Sequence, residues 1–205
     1  MKYTIFASFV VFALLIRGLI KRSDKIDEKT KKNYLEREEL ANTTRRKSLD
    51  NLEYIVVPDY LLIDSTSHNN EELTDYISRL SYLTSEPIVN FSKISNTDLK
   101  LTYGVANLSL LTSYDENYMK LLPLLNKIGR LFFELNDYSL ATKYLEYAVS
   151  VNSDIRETFD ILAKIYVANN DISRLEELIA KAQSLDSINK NIICRNLSKY
   201  SQSDD

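Results

Sequence analysis

A 34-residue internal repeat in the C-terminal half restricts the possible folds of this chain more than any other feature. When residues 122–155 are aligned with residues 156–189, similar residues coincide, as in the pairs Leu125 and Phe159, Ile128 and Leu162, Phe132 and Tyr166, and Asp137 and Asp171. Within each copy the apolar residues recur at three- and four-residue spacing, which indicates amphipathic helices. A self-similar unit of this length is typical of stacked helical hairpins. The sequence therefore predicts an all-α fold.

Small residues occupy the positions where the two helices of each hairpin would cross closely, namely Gly129, Ala141, Ala148, Ala163 and Ala182. With the large residues between them, this pattern resembles the tetratricopeptide repeat family, whose motif combines large, Leu-Gly and Tyr positions with a later small residue and Ala. The resemblance covers residues 122–189. Ser153 and Ser187 stand where the family usually has proline, and Leu175 replaces a small residue. The resemblance implies an array of helical hairpins, an α-solenoid.

The same resemblance implies a binding groove for a protein or peptide partner. In the family, peptides lie in a concave groove lined by the first helix of each repeat. The matching positions that we expect to bind a partner are Asn126, Arg130, Phe133, Glu157, Asp160 and Lys164. Asn126, Arg130 and Lys164 would hydrogen-bond an extended peptide or its carboxylate, and Phe133 would be an apolar anchor. Glu157 and Asp160 oppose a pure carboxylate clamp, so an ordinary mixed-charge solvent face is the alternative.

An apolar run over residues 3–20 follows Lys2 and ends at Lys21 and Arg22. As a helix it would be just long enough to cross a hydrocarbon core, so we assign residues 1–20 as a single transmembrane anchor. A cleaved signal peptide is the alternative, but no small-x-small cleavage site follows the run. Because Lys and Arg are concentrated after it, the positive-inside rule places the C-terminal part in the cytoplasm. The opposite orientation, with that part outside the membrane, is the competing interpretation.

Residues 21–50 form a charged juxtamembrane linker with ten Lys or Arg and seven Asp or Glu, a net charge of +3. Residues 51–205 contain 14 basic and 22 acidic residues, a net charge of −8. The basic stretch suits anionic lipid, and a solvated spacer is the alternative. An acidic domain disfavours nucleic acid, which binds to basic faces.

Residues 51–121 form a divergent helical region that includes an extended segment. Val57 and Pro58 lie among β-forming residues there, whereas residues 70–84 and 96–112 carry helical signals. Because about three units are needed to bury a continuous core, we expect these helices to form a preceding hairpin. Residues 94–118 also resemble a segment of uncharacterised membrane proteins from low-GC Gram-positive bacteria, which implies no activity. Residues 190–205 are expected to form a capping helix and tail.

Candidate chemistry is sparse. Cys194 is the single cysteine and His68 the single histidine. We find no phosphate-binding glycine loop, metal-ligand spacing or nucleophile motif, so we predict no catalytic residues, metal, cofactor or small-molecule substrate. The sequence predicts a membrane-tethered interaction module that acts as a scaffold or adaptor. An extracytoplasmic envelope-assembly or chaperone factor with the same fold is the alternative, and an enzyme is a third, weaker hypothesis.

Overall fold

The computed structural model describes residues 16–17, 21–22, 28–62 and 70–201. In these residues all regular secondary structure is helical, and no strand is found. We call the helical residues 28–43 α1. The other α-helices are α2 (Glu71–Leu83), α3 (Asn96–Tyr103), α4 (Leu108–Glu134), α5 (Tyr138–Ser150), α6 (Arg156–Ala168), α7 (Ile172–Ser184) and α8 (Lys190–Ser201). Short 3₁₀ turns lie at Asp59–Leu61 and Val105–Asn107. The predicted all-α class is confirmed.

The chain divides into two compact units. The first contains the described residues of Met1–Asn51 together with Lys93–Leu110, and the second contains the described residues of Leu52–Ser92 and Leu111–Asp205. Each unit therefore combines segments that are separated in sequence. Much of the predicted linker, residues 28–50, belongs to the first unit, where α1 accounts for most of it.

In the first unit α1 contacts α3 through polar side chains. Glu38 forms an ion pair with Lys100 and accepts a hydrogen bond from the hydroxyl of Thr97 at 2.6 Å. Arg37 forms a second ion pair with Asp98. The hydrogen bonds from Lys100 and Thr97 lower the pKa of the Glu38 carboxyl. These contacts fix α1 against the start of α3.

The segment after α1 follows the end of α3 through a buried asparagine. Asn107 is fully buried, and its side-chain oxygen accepts a hydrogen bond from Arg46 Nε at 2.9 Å. Its side-chain nitrogen donates to the carbonyls of Lys47 and Tyr103, both at 2.8 Å. The backbone N–H of Lys47 also donates to the Tyr103 carbonyl at 3.0 Å. Asn107 thus joins the irregular segment at Arg46 and Lys47 to the end of α3.

The second unit is built on helical hairpins whose boundaries repeat. Helices α5 and α7 each have 13 residues, and their first residues, Tyr138 and Ile172, differ by the 34 positions of the sequence repeat. Helix α6 contacts α5, α7 and α8, and α7 also contacts α8. At the close crossing of α4 and α5, a Cβ atom on Gly129 would lie 2.5 Å from the Leu145 side chain. The small residue is therefore required there, as its position in the repeat predicted.

The turns that join α4 to α5 and α6 to α7 share one geometry. Asn136 and Asn170 adopt left-handed backbone conformations with φ of 61° and 54°, which asparagine tolerates better than most residues. The backbone N–H of the next residue, Asp137 or Asp171, donates to the carbonyl five residues earlier at 2.9 or 2.8 Å. Each aspartate side chain then caps the following helix by accepting a backbone N–H, at 3.0 and 3.2 Å.

One helix prediction is wrong. The sequence predicted a continuous helix over residues 96–112, but α3 ends at Tyr103 and α4 begins at Leu108. Gly104 interrupts the helix because it adopts φ of 90°, outside the right-handed helical region. Helix α4 then runs from Leu108 to Glu134, with Pro123 inside it. The first helix of the first repeat therefore begins well before residue 122.

The second unit also contains an extended segment that packs on α5. Residues 52–58 are in neither helix nor strand. The hydroxyl of Tyr147 donates to the Val56 carbonyl at 3.0 Å, and the hydroxyl of buried Tyr144 donates to the Leu61 carbonyl at 2.5 Å. Both tyrosines belong to α5, so the extended segment and the 3₁₀ turn that follows it each supply an acceptor to this helix.

The predicted transmembrane run, residues 3–20, lies outside the described residues except for Ile16 and Arg17, both of which are helical. Within the described ranges no helix is long and apolar enough to cross a membrane. His68 also lies outside the described residues.

Candidate functional site

A surface cleft of about 560 Å³ lies on α4, α6 and α8, and we call it the α4–α6–α8 cleft. The end of α4 contributes Arg130, Phe133 and Glu134, and α6 contributes Glu157, Asp160 and Lys164. The cleft thus contains five of the six residues that the resemblance to tetratricopeptide repeats implied: Arg130, Phe133, Glu157, Asp160 and Lys164. These five come from two copies of the repeat, so the helix packing of the second unit brings them together.

The sixth predicted residue, Asn126, lies below the cleft. Its side chain is 6% exposed. The amide nitrogen donates to the Glu157 carboxylate at 2.7 Å, and the amide oxygen accepts from the hydroxyl of Thr158 at 2.8 Å. Thr158 is fully buried. Asn126 therefore joins α4 to α6 and orients Glu157 at the cleft, rather than offering a free amide to a partner.

Charges in the cleft are balanced. Three basic residues (Arg130, Arg156, Lys164) and three acidic residues (Glu134, Glu157, Asp160) line it. The Arg130 guanidinium forms an ion pair with Glu134 one turn later at 2.9 Å. Because most of these groups are exposed, each pair contributes little to stability and its charges are accessible to a ligand. Such a surface matches a partner segment that carries both charges better than a purely acidic one.

Lys164 and Asp160 differ in how they are held. Lys164 is exposed and forms no ion pair within the described part of the chain. Asp160 is half-buried and accepts a long hydrogen bond, 3.5 Å, from the side chain of Asn196 on α8. Burial raises the pKa of the nearby Tyr200 hydroxyl, and the charge of Asp160 raises it further. Among the described residues, Lys164 and Arg156 are thus cations of the cleft that a ligand reaches without breaking an existing ion pair.

The apolar part of the cleft is formed by Phe133, Ile155 and Ile161. The Phe133 ring is partly buried against the core, and its centroid lies 5.5 Å from that of Tyr138. An aromatic ring fixed in this way loses little conformational freedom on binding. Phe133 therefore suits the anchoring role that the family resemblance implied for it.

The sequence did not indicate Ile155, Arg156 or Asn196 as cleft residues. Asn196 follows the last repeat copy, so the 34-residue alignment has no position for it. Ile155 and Arg156 lie where one copy meets the next, and only the packing of the helices brings them beside Arg130. A third copy of the repeat, aligned through α8, would have been the signal for Asn196.

The chemistry available in the cleft is hydrogen bonding, ion pairing and apolar contact. Over the described residues, no group of three or more His, Cys, Asp or Glu is arranged to hold a metal ion. Cys194 is partly buried and packs against the core.

Comparison with known proteins found no matching family model, no matching curated protein and no matching solved structure.

Proposed function

We propose that this protein is a membrane-anchored protein–protein interaction module that binds an extended segment of a partner protein in the α4–α6–α8 cleft, without catalysing a reaction. The observation that carries this proposal is the convergence of Arg130, Phe133, Glu157, Asp160 and Lys164 on one cleft. An accessible cation, accessible carboxylates and a fixed aromatic ring together suit the backbone and side chains of a peptide.

The proposal includes a tetratricopeptide-like arrangement of the second unit. Two observations support it. Helices α5 and α7 have the same length and begin 34 residues apart. The turns before them have the same backbone conformation and the same kind of N-terminal cap. In an array of this kind the first helices of successive repeats would line the binding face. The α4–α6–α8 cleft fits this arrangement, because α6 and the end of α4 would be the first helices of their repeats.

Membrane attachment is proposed from the apolar run over residues 3–20 and its basic C-terminal flank. We expect the C-terminal part to face the cytoplasm. A C-terminal tag should then resist protease in intact spheroplasts and be digested after the membrane is opened. Digestion in intact spheroplasts would contradict this orientation and favour the extracytoplasmic assembly or chaperone function.

Site-specific photocrosslinking of the full chain in its native membrane tests the interaction. A benzophenone amino acid is placed at Glu134, which lines the cleft, or at Lys143, an exposed position on α5 that serves as the control. We expect an adduct of defined mass from position 134 that is weak or missing from position 143. The charge reversals Arg130→Glu and Lys164→Glu, introduced together, should reduce this adduct at least tenfold.

When an adduct forms from position 134, two results would contradict the proposed function. One is equal crosslinking from positions 134 and 143, which would indicate random collisions. The other is an adduct that persists unchanged in the variant with both charge reversals while its circular dichroism spectrum matches that of the wild type. Absence of any adduct from position 134 would also count against the cleft as a binding site.

A further inference from the structure

A second concave surface lies in the second unit between α2 and α4, and we call it the α2–α4 groove. Its main lining residues are Tyr76, Tyr82, Met119, Lys120, Pro123 and Lys127, and its volume is about 680 Å³. Two contacts show that the two helices run antiparallel. The later residue of α4, Lys127, has its amino group 5.1 Å from the ring of Tyr76 within α2. The earlier residue, Asn117, donates a side-chain hydrogen bond to the carbonyl of Pro87, which follows α2 in the chain. With a rise of about 1.5 Å per residue, the groove is about 15 Å long.

The walls and floor of the groove are apolar. Tyr82 is 73% exposed and Met119 is 60% exposed, although both are large apolar side chains. Leu83 and Leu124 also line the groove and are buried in the core. Exposed apolar side chains that border a concave surface mark an interaction site more often than single exposed residues do.

The rim of the groove is basic, although the surrounding region is acidic. Lys120 and Lys127 line it and form no ion pair within the described residues, whereas Arg79 pairs with Asp75 at 2.9 Å. Glu86 is the one acidic residue among the described lining residues. Residues 51–205 have a net charge of −8. Two unpaired lysines beside the apolar groove therefore favour an occupant with negative charge.

Pro123 adds a backbone acceptor to the groove. In an α-helix the N–H of residue 123 would donate to the carbonyl of residue 119, but proline has no N–H. Met119 and Pro123 both line the groove, and at this point of α4 the Met119 carbonyl lacks the N–H donor that a residue other than proline would supply at position 123. The backbone N–H of a peptide can donate to this carbonyl, whereas the acyl chain of a lipid cannot.

From these observations we propose that the α2–α4 groove is a second binding site, which takes an acidic peptide segment of a partner protein with a large apolar side chain at its centre. The apolar side chain packs between Tyr82 and Met119, and the flanking carboxylates pair with Lys120 and Lys127. At about 3.3 Å per residue, a groove of about 15 Å holds four or five extended residues. The site is separate from the α4–α6–α8 cleft and does not depend on the function proposed for that cleft.

Fluorescence anisotropy with the full chain in detergent micelles tests this site. The probe is a labelled peptide with a central Leu-Phe pair and two Glu residues on each side. One comparison peptide has Lys in place of Glu, and another has Ala in place of Leu and Phe. The groove variant combines Lys120→Glu with Lys127→Glu, and Lys143→Glu on α5, an exposed position that lines neither site, is its matched control.

We expect saturable binding of the acidic probe and at least tenfold weaker binding of both comparison peptides. The groove variant should bind the acidic probe at least tenfold more weakly, and the control variant Lys143→Glu should bind it as the wild type does. Because Lys127 contacts Tyr76, the single variant Lys120→Glu, which keeps that contact, should show a loss in the same direction.

Other results would overturn the proposal. These are no saturable binding, equal binding of the acidic and basic peptides, or affinity that the groove variant leaves unchanged. Dodecanoate serves as a probe for the alternative occupant, an anionic amphiphile. If dodecanoate binds, is lost on Tyr82→Ala, and is not displaced by the acidic peptide, the groove is a lipid site and the peptide proposal is wrong.

Discussion

Gly104 is the residue whose replacement should disturb the first unit most. Its φ is 90°, and a Cβ atom there would lie 2.2 Å from the Arg45 carbonyl oxygen. Since neither backbone can yield easily, we expect Gly104→Ala to destabilise this unit by about 3 kcal/mol. Hydrogen exchange should show loss of protection in α1 and α3.

Gly129→Ala is the matched comparison, because its new Cβ would meet only the side chain of Leu145, at 2.5 Å. We expect a smaller loss of about 1–2 kcal/mol, partly offset by the better helix propensity of alanine. If the two substitutions lower the free energy of unfolding equally, the close approach of the Arg45 backbone does not explain the cost of replacing Gly104.

Glu38 should make the first unit sensitive to acid. Hydrogen bonds from Lys100 and Thr97 hold the pKa of Glu38 below its ordinary value of about 4.5. Because the folded pKa is the lower one, the stabilisation is complete above pH of about 4.5 and is lost as the pH falls through the folded pKa. Glu38→Gln should therefore lower the protection of α1 at neutral pH, and the difference from the wild type should shrink in acid. A difference that stays constant with pH would contradict this assignment.

At the scale of helices, a buried polar link joins α4 to α6. Asn126→Ala removes the acceptor for the Thr158 hydroxyl and leaves that hydroxyl buried without its partner. We expect a loss of about 1–3 kcal/mol in the free energy of unfolding. Adding Thr158→Val removes the unpaired hydroxyl, so the double variant should be more stable than Asn126→Ala alone. If the double variant is less stable than Asn126→Ala, the hydrogen bond to Thr158 does not account for the stability that Asn126 provides.

The helices differ in how well the sequence predicted them. Local signals sufficed for the starts of α2 and α3, which the structure caps with the side chains of Asn70 and Ser95. The break at Gly104 was missed because a single glycine does not reveal its φ, which here is set by contact with a distant segment at Arg45. The partnership of α1 with α3 was missed for the same reason, since its ion pairs join residues about sixty positions apart in sequence.

At the scale of the whole molecule, the family resemblance indicated which residues share a surface better than it indicated what each of them does there. The 34-residue period aligns equivalent positions of successive hairpins, the resemblance implies which of these positions line a groove, and five of the six implied residues line one cleft. It cannot show that Asn126 points into the core, because that depends on the fully buried Thr158 of the next helix. The α2–α4 groove was also missed, because α2 belongs to no repeat and is brought to α4 only by tertiary packing.

Tyrosine ionisation should be linked to unfolding of the second unit. Burial raises the pKa of Tyr118 to about 12, with a further contribution from Asp154, and burial raises that of Tyr147 to about 12. Burial also raises the pKa values of Tyr144 and Tyr166. An unfolded tyrosine ionises near pH 10. Stability that depends on the neutral phenols is therefore complete below about pH 10 and is lost as the pH rises from 10 to 12.

An alkaline titration that follows tyrosinate absorbance and far-ultraviolet circular dichroism together measures this linkage. We expect part of the absorbance to rise while the helical signal is intact, and the rest to rise as helix is lost. Tyr118→Phe removes one buried phenol together with its 3.0 Å hydrogen bond to the Val151 carbonyl. This variant should be less stable at neutral pH but lose less stability between pH 10 and 12. Complete ionisation near pH 10 with the helices intact would show that these phenols are accessible to solvent, and the packing of α5 and α6 around them would then be looser than the structure has it.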